Sequence, residues 1–199
     1  RAMPKAIANG IEIHYEEQGD KTAPPMLLIM GFGAQLTLWP DELVEALASR
    51  GFRVIRYDNR DIGLSHKFDG VKAPGLVKMT LLSKLGLKPK VPYTLADMAD
   101  DGAGLLDTLG IEKAHIVGAS MGGMIAQHFV SRHADKCLSL TTIFSTTGNP
   151  KLPPTKPEAM KALVTRPDST DEKVLVEHGM MVARTIGSPG YPTEDERLR

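Results

Sequence analysis

Ser120 stands in Gly118-Ala119-Ser120-Met121-Gly122-Gly123, between a β-branched run, Ala114–Val117, and an alanine-bearing helical segment, Met121–His133. Strand, sharp turn and helix in that order hold a serine on a strained apex, with its Oγ lifted clear of the sheet. Gly118 and Gly122 flank it because larger side chains would crowd the turn and glycine tolerates the backbone angles required. The chemistry implied is nucleophilic attack on an ester carbonyl, with the resulting oxyanion met by preorganised donors. The backbone N–H of Met121, directly after the serine at the positive end of its helix, is one such donor. The competing reading is a glycine-rich dinucleotide-binding turn. That turn wants a glycine where Ser120 stands and an acidic residue about twenty positions on. Ser139, Thr141 and Thr142 occupy that region instead, so the dinucleotide reading is weak.

The elements around the serine follow from periodicity and punctuation. Ile11–Glu17 alternates apolar and polar after Asn9-Gly10, which predicts a hairpin. Met26–Met30 is continuously apolar, as for a strand covered on both faces. Asp41–Ser49 reads as an amphipathic helix with Leu43, Val44 and Leu47 on one face, closed by Gly51. Phe52–Tyr57 is the next strand, Asn59–Ser65 a loop, and Ala73–Pro92 irregular or short-helical. Thr94 caps a helix over Leu95–Leu109, with Asp97 completing a near capping box. Ala114–Val117 and Leu138–Phe144 are further strands. Alternation of this kind predicts an α/β fold with a mostly parallel sheet and helices on both faces, ligands binding at the strands' carboxyl ends. After Ser145 a Gly- and Pro-rich linker leads to helices near Glu158–Val164 and Thr170–Ile186. The expected division is 1–150 as the core and 151–199 as a helical segment.

Composition narrows the classes. Lys+Arg and Asp+Glu both number 24 in 199 residues, so the net charge is zero and no basic face for nucleic acid is implied. The hydrophobic content of 42% is ample for a core. The single cysteine, Cys137, is expected as a buried thiol, so disulfides play no part. No apolar run approaches a membrane span and no signal-like segment opens the chain, which makes a cytoplasmic location the default expectation. No cofactor or metal cluster is indicated.

Taken together, Met30-Gly31-Phe32-Gly33, Tyr57-Asp58-Asn59-Arg60-Asp61-Ile62-Gly63-Leu64-Ser65, Tyr93-Thr94-Leu95 and the Ser120 motif resemble the α/β-hydrolase superfamily. They look most like bacterial carboxylic-ester hydrolases of the aclacinomycin methylesterase type. The resemblance implies a second oxyanion donor, the N–H of Phe32, and a substrate that is a small to medium apolar ester. It also makes the Asp58–Ser65 loop mainly structural, with Arg60 tied to an acid, and puts residues 187–191 in a helical lid. Trp39 is expected to pack the first helix against the sheet.

In that superfamily an acid and then a histidine follow the serine. Here the chain ends at Arg199, by the resemblance within the lid and before the C-terminal strands. His128 and His133 lie along the helix that Ser120 begins and point away from it. His14 and His115 read as strand residues with no role. His66 and His178 remain as surrogate bases at low odds; His178 is expected on a lid helix because Ser169-Thr170-Asp171-Glu172 forms a capping box. The expectation is therefore a serine esterase of impaired activity, with a non-catalytic ligand- or partner-binding module as the alternative. Thioesterase, peptidase and perhydrolase chemistry on the same serine stay open. An exposed sheet edge or exchange of lids would favour a homodimer or larger assembly.

Overall fold

The computed structural model describes residues 4–70, 85, 87, 90–149, 151–191 and 194. Most of the expected irregular segment 73–92 lies outside those residues. Two compact units divide the chain at Gly148 and Asn149.

The first unit is a six-stranded sheet. Its strands are β1 (Lys5–Ala8), β2 (Ile11–Gln18), β3 (Pro25–Ile29), β4 (Arg53–Tyr57), β5 (Ala114–Ala119) and β6 (Cys137–Ile143), in the order β1-β2-β4-β3-β5-β6. The first two pairings are antiparallel; β4, β3, β5 and β6 run parallel. The β1–β2 turn is the expected hairpin, with Asn9 and Gly10 both at positive φ and Ala8 opposite Ile11.

Helices cover both faces. On one side α1 (Asp41–Ser49) and Trp39 pack on Leu28, Met30, Val54 and Ala119. Val44 is buried and Leu47 packs beside it, but Leu43 is largely exposed: the short helix presents only a narrow stripe to the sheet. On the other side α2 (Leu95–Thr108) and α3 (Met121–Arg132) bury Leu105, Leu106, Ile125 and Phe129 against Leu27, Ile29, Ile55 and Ile116. The Thr94 hydroxyl accepts from the Asp97 N–H while the Asp97 carboxylate accepts from the Thr94 N–H, a complete capping box. Close packing of α2 on the sheet needs Gly104, where a Cβ would come within 2.7 Å of the Asn9 nitrogen.

The edge strand β6 departs from expectation. Leu138 and Leu140 are exposed, and Cys137 is half-buried rather than a core thiol, because β6 has a strand on one side only. Burial nonetheless pushes the Cys137 thiol pKa upward.

The second unit, residues 149–199, contains α4 (Pro157–Val164) and α5 (Glu172–Ile186), packed on each other. The start of α5 is capped by Asp171, whose carboxylate accepts from the Lys173 and Val174 N–H groups. The capping box expected over Ser169–Glu172 does not form; the Ser169 hydroxyl accepts from the Asp171 N–H just before the helix. Among the described residues no helix is long and apolar enough to cross a membrane.

Candidate active site

The parallel register brings three strand ends together. Ile29 on β3 faces Gly118 on β5, and Ala119 faces Ile143 on β6. Ser120 follows, at φ 56° and ψ −124°, between β5 and the first residue of α3. A non-glycine residue at such angles costs about 1–3 kcal/mol and persists only where its surroundings enforce it. The enforcement is visible. The Ser120 N–H donates to the Ile143 carbonyl at 2.9 Å, and the Ser120 carbonyl accepts from the Ser145 hydroxyl at 2.7 Å and from the Gly123 N–H at 2.9 Å.

The flanking glycines are required by contact. A Cβ on Gly118 would collide with the Gly122 carbonyl, and one on Gly122 with the Ile29 carbonyl. A Cβ on Gly31 would lie 3.0 Å from the Ser120 Cβ, so only glycine lets the loop after β3 come this close. What the turn leaves free is as informative. Among the described residues, Ser120 Oγ and the N–H groups of Phe32 and Met121 have no hydrogen-bond partner. Phe32 is 60% exposed, and the Met121 N–H opens α3.

The neighbouring loop after β4 is the opposite case. Asp58, 2% exposed, accepts from the Leu36 N–H at 2.8 Å, the Leu64 N–H at 3.0 Å and His14 Nδ1 at 3.0 Å. His14, expected to be an idle strand residue, is thus a buried partner of Asp58, with Nε2 left unpaired. Its backbone is tied to the same loop: the His14 N–H donates to the Ser65 hydroxyl at 2.9 Å and the His14 carbonyl accepts from the Asp58 N–H at 3.0 Å. Asn59 Nδ2 donates to the Met30 carbonyl at 2.9 Å, which ties this loop to the strand end carrying Gly31 and Phe32.

Arg60 makes two bonds to Asp101, at 2.7 and 2.6 Å, with its guanidinium over the Phe68 and Tyr93 rings. Burial acts to lower the Arg60 pKa, but the Asp101 pair outweighs it and the net shift is upward. Asp61 accepts from the Tyr93 hydroxyl at 2.6 Å; burial and this bond push the Tyr93 pKa up to about 12. These acids are committed to structure.

All six histidines fall among the described residues. His66 packs edge-on against Phe68 and its backbone is tied to Glu12 and Asp61. His115 bonds the Ser139 hydroxyl at 2.7 Å, His133 bonds Asp100 at 2.7 Å, and His128 is exposed on α3. None of these, nor His14, bonds Ser120 Oγ. His178 lies on α5 in the second unit. Sequence reasoning gave no role to Asn59, although it lies in the Tyr57–Ser65 motif, nor to Ser145, which has no motif; the neighbouring strand ends reveal their contacts. Among the described residues no cluster of His, Cys, Asp and Glu could hold a metal ion.

Comparison with known proteins agrees with this architecture. The family described as alpha/beta hydrolase fold matches residues 24–181. Rhodomycin D methylesterase from Streptomyces sp. (strain C5) is 29% identical over 201 residues, covering 91% of this chain and 61% of that protein. The enol-lactonase from Burkholderia xenovorans LB400 is 31% identical with a TM-score of 0.60, over 91% of this chain and 59% of that one. A meta-cleavage product hydrolase from Pseudomonas fluorescens IP01 is 20% identical with a TM-score of 0.71, over 98% of this chain and 60% of that one, a likeness of fold. The chain thus spans about three fifths of the length of each of these three proteins.

Proposed function

This chain belongs to the alpha/beta hydrolase fold family, and from that premise we propose that Ser120 is the nucleophile of a serine-dependent carboxylic-ester hydrolase. One observation carries the reading: Ser120 is held at φ 56°, and among the described residues its Oγ and the backbone N–H groups of Phe32 and Met121 have no partner. A methylesterase and an enol-lactonase among the similar proteins support ester chemistry over other acyl transfers.

In this reading Ser120 Oγ attacks the carbonyl carbon and its proton leaves. The oxyanion is met by the N–H groups of Phe32 and Met121, then collapses and expels the alcohol, which takes up a proton. Water attacks the acyl-serine by the same route, releasing the acid and restoring the hydroxyl. The weak link is the proton acceptor. Among the described residues no histidine of the first unit bonds Oγ; by themselves, oxyanion stabilisation and binding give on the order of 10³–10⁴-fold acceleration over water. His66 and His178 are the side chains to vary if turnover exceeds that level.

The test is hydrolysis of a short p-nitrophenyl ester beside the Ser120→Ala variant. Loss of turnover in the variant supports the nucleophile; equal rates overturn it. The unengaged Oγ also favours a second reading, a scaffold that binds a ligand without turnover. Ligand affinity untouched by Ser120→Ala, with no hydrolysis by either protein, would select it. Among the described residues β6 pairs on one side only, with Leu138 and Leu140 exposed, which supports self-association; sedimentation at monomer mass would remove that part of the proposal.

A further inference from the structure

Among the described residues four non-glycines take positive φ: Asn9, Asp61, Ser120 and Phe144. Asn and Asp tolerate that region because their short polar side chains bond locally. Serine and phenylalanine have no such compensation, and for a bulky residue positive φ is a true outlier.

The two intolerant residues are neighbours. Ala119 faces Ile143 in the register of β5 and β6, and Ser120 and Phe144 come next on their strands. Ile143 accepts from the Ser120 N–H, and Ser145 donates to the Ser120 carbonyl, so the residues on both sides of Phe144 are fixed to the Ser120 backbone. Phe144 is held there at φ 38° while 79% exposed, so its ring contributes little to the core. An exposed, left-handed position would suit glycine or asparagine better. Strain of this kind beside a candidate nucleophile points to use by a ligand. The other flank matches. Phe32 is 60% exposed and follows Gly31, the residue that abuts Ser120 from β3. Since β3 and β6 lie on opposite sides of β5, each neighbour of the serine strand ends in one exposed aromatic.

We infer that Phe144, with Phe32 on the opposite flank, is a specificity-determining residue that selects esters bearing a flat aromatic group over short aliphatic ones. The inference rests on the reading of Ser120 as a nucleophile. Its chemistry is ordinary: an aromatic ring gains both apolar burial and ring–ring contact from such a pair, and a methyl group gains neither.

Boronic acids test it without requiring turnover, because trigonal boron takes up the serine oxygen as a tetrahedral anion resembling the oxyanion intermediate. Dissociation constants of phenylboronic and methylboronic acid are measured by calorimetry for the whole chain and for Phe144→Ala, Phe144→Gly and Ser120→Ala. Wild type is expected to favour the phenyl compound, and both Phe144 variants to reduce the phenyl-to-methyl preference by about fivefold. Phe144→Gly relieves the backbone, so it should melt no lower than wild type while still losing the preference. A ratio unchanged in both variants, or no phenyl preference in wild type, overturns the inference. Binding of both acids that is indifferent to Ser120→Ala overturns the nucleophile reading instead, while the Phe144 ratio still reports on the aromatic pair.

Discussion

The loop after β4 and the turn after β5 end at the same edge of the sheet and treat polar groups in opposite ways. In the first, Asp58 spends both carboxylate oxygens on Leu36, Leu64 and His14, Arg60 is bidentate to Asp101, and Asp61 holds Tyr93. In the second, the Ser120 backbone is pinned on both sides while its hydroxyl and the N–H groups of Phe32 and Met121 have no partner among the described residues. A buried polar group without a bond is costly. A half-exposed group kept free by a strained backbone is poised for something that arrives later. The contrast separates acids that hold the fold from a serine available for chemistry, although both loops are rich in residues that could do either.

Breaking the first region should therefore unfold the protein, and breaking the second should leave it folded. Asp58→Ala removes three bonds from a site that is 2% exposed and strands the His14 ring and two N–H groups. A loss of about 3–5 kcal/mol is expected, read as a fall in the urea midpoint. A midpoint close to wild type would show that the loop is not the scaffold described. Ser120→Gly is the counterpart. It frees the strained φ and should raise stability by about 1 kcal/mol while abolishing ester turnover. A destabilised but active Ser120→Gly would invert the comparison.

Asn59 joins the two regions and should show both effects at once. Its Nδ2 holds the Met30 carbonyl, two residues before the Phe32 N–H. Asn59→Ala should cost about 1–2 kcal/mol, since the buried carbonyl loses its donor. If the proposed role of the Phe32 N–H holds, the substitution should also lower kcat for a p-nitrophenyl ester more than it raises KM, because such a donor acts mainly on the oxyanion. Loss of stability with kinetics intact would make Asn59 a scaffold residue only.

How much of this was legible in the sequence depends on whether the cause is local. The Ser120 turn, the Asn9-Gly10 hairpin and the Thr94–Asp97 cap are set by residues within a few positions of each other, and all are found where the sequence puts them. Burial patterns over strands that pair on both sides were equally readable. One failure is local, the cap of α5 falling to Asp171 rather than Ser169, and the others are long-range. His14 gained its partner from a loop 44 residues away. Ser145 and Phe144 matter only because β6 lies in register beside β5. Cys137, at the start of a strand, is expected in the core, but an edge position leaves it half-buried. Leu43 fits the helical stripe and is still exposed, because the width of a buried face depends on what packs against it.

The smallest effect lies at the cap of α2, where satisfied polar groups meet solvent. Hydrogen bonds from the Thr94 side chain and backbone hold the Asp97 carboxyl below its usual value of 3.8, and Arg60 nearby adds to the shift. A folded-state pKa below the unfolded one means the stabilisation is complete above the unfolded value. It is lost as the pH falls past 3.8 through the depressed folded value. Thr94→Ala removes one half of the box and the lowering it causes, and should cost about 1 kcal/mol near neutral pH. That cost should shrink on acidification, because the Thr94 hydroxyl also donates to the Asp97 carboxylate at 2.7 Å, a bond that weakens once the carboxyl is protonated. Urea midpoints of wild type and Thr94→Ala at about pH 7 and about pH 3 give the two differences. If the gap is the same at both, the hydroxyl acts as a cap for the Asp97 N–H alone, and its bond to the Asp97 carboxylate contributes nothing to the scaffold side of the comparison.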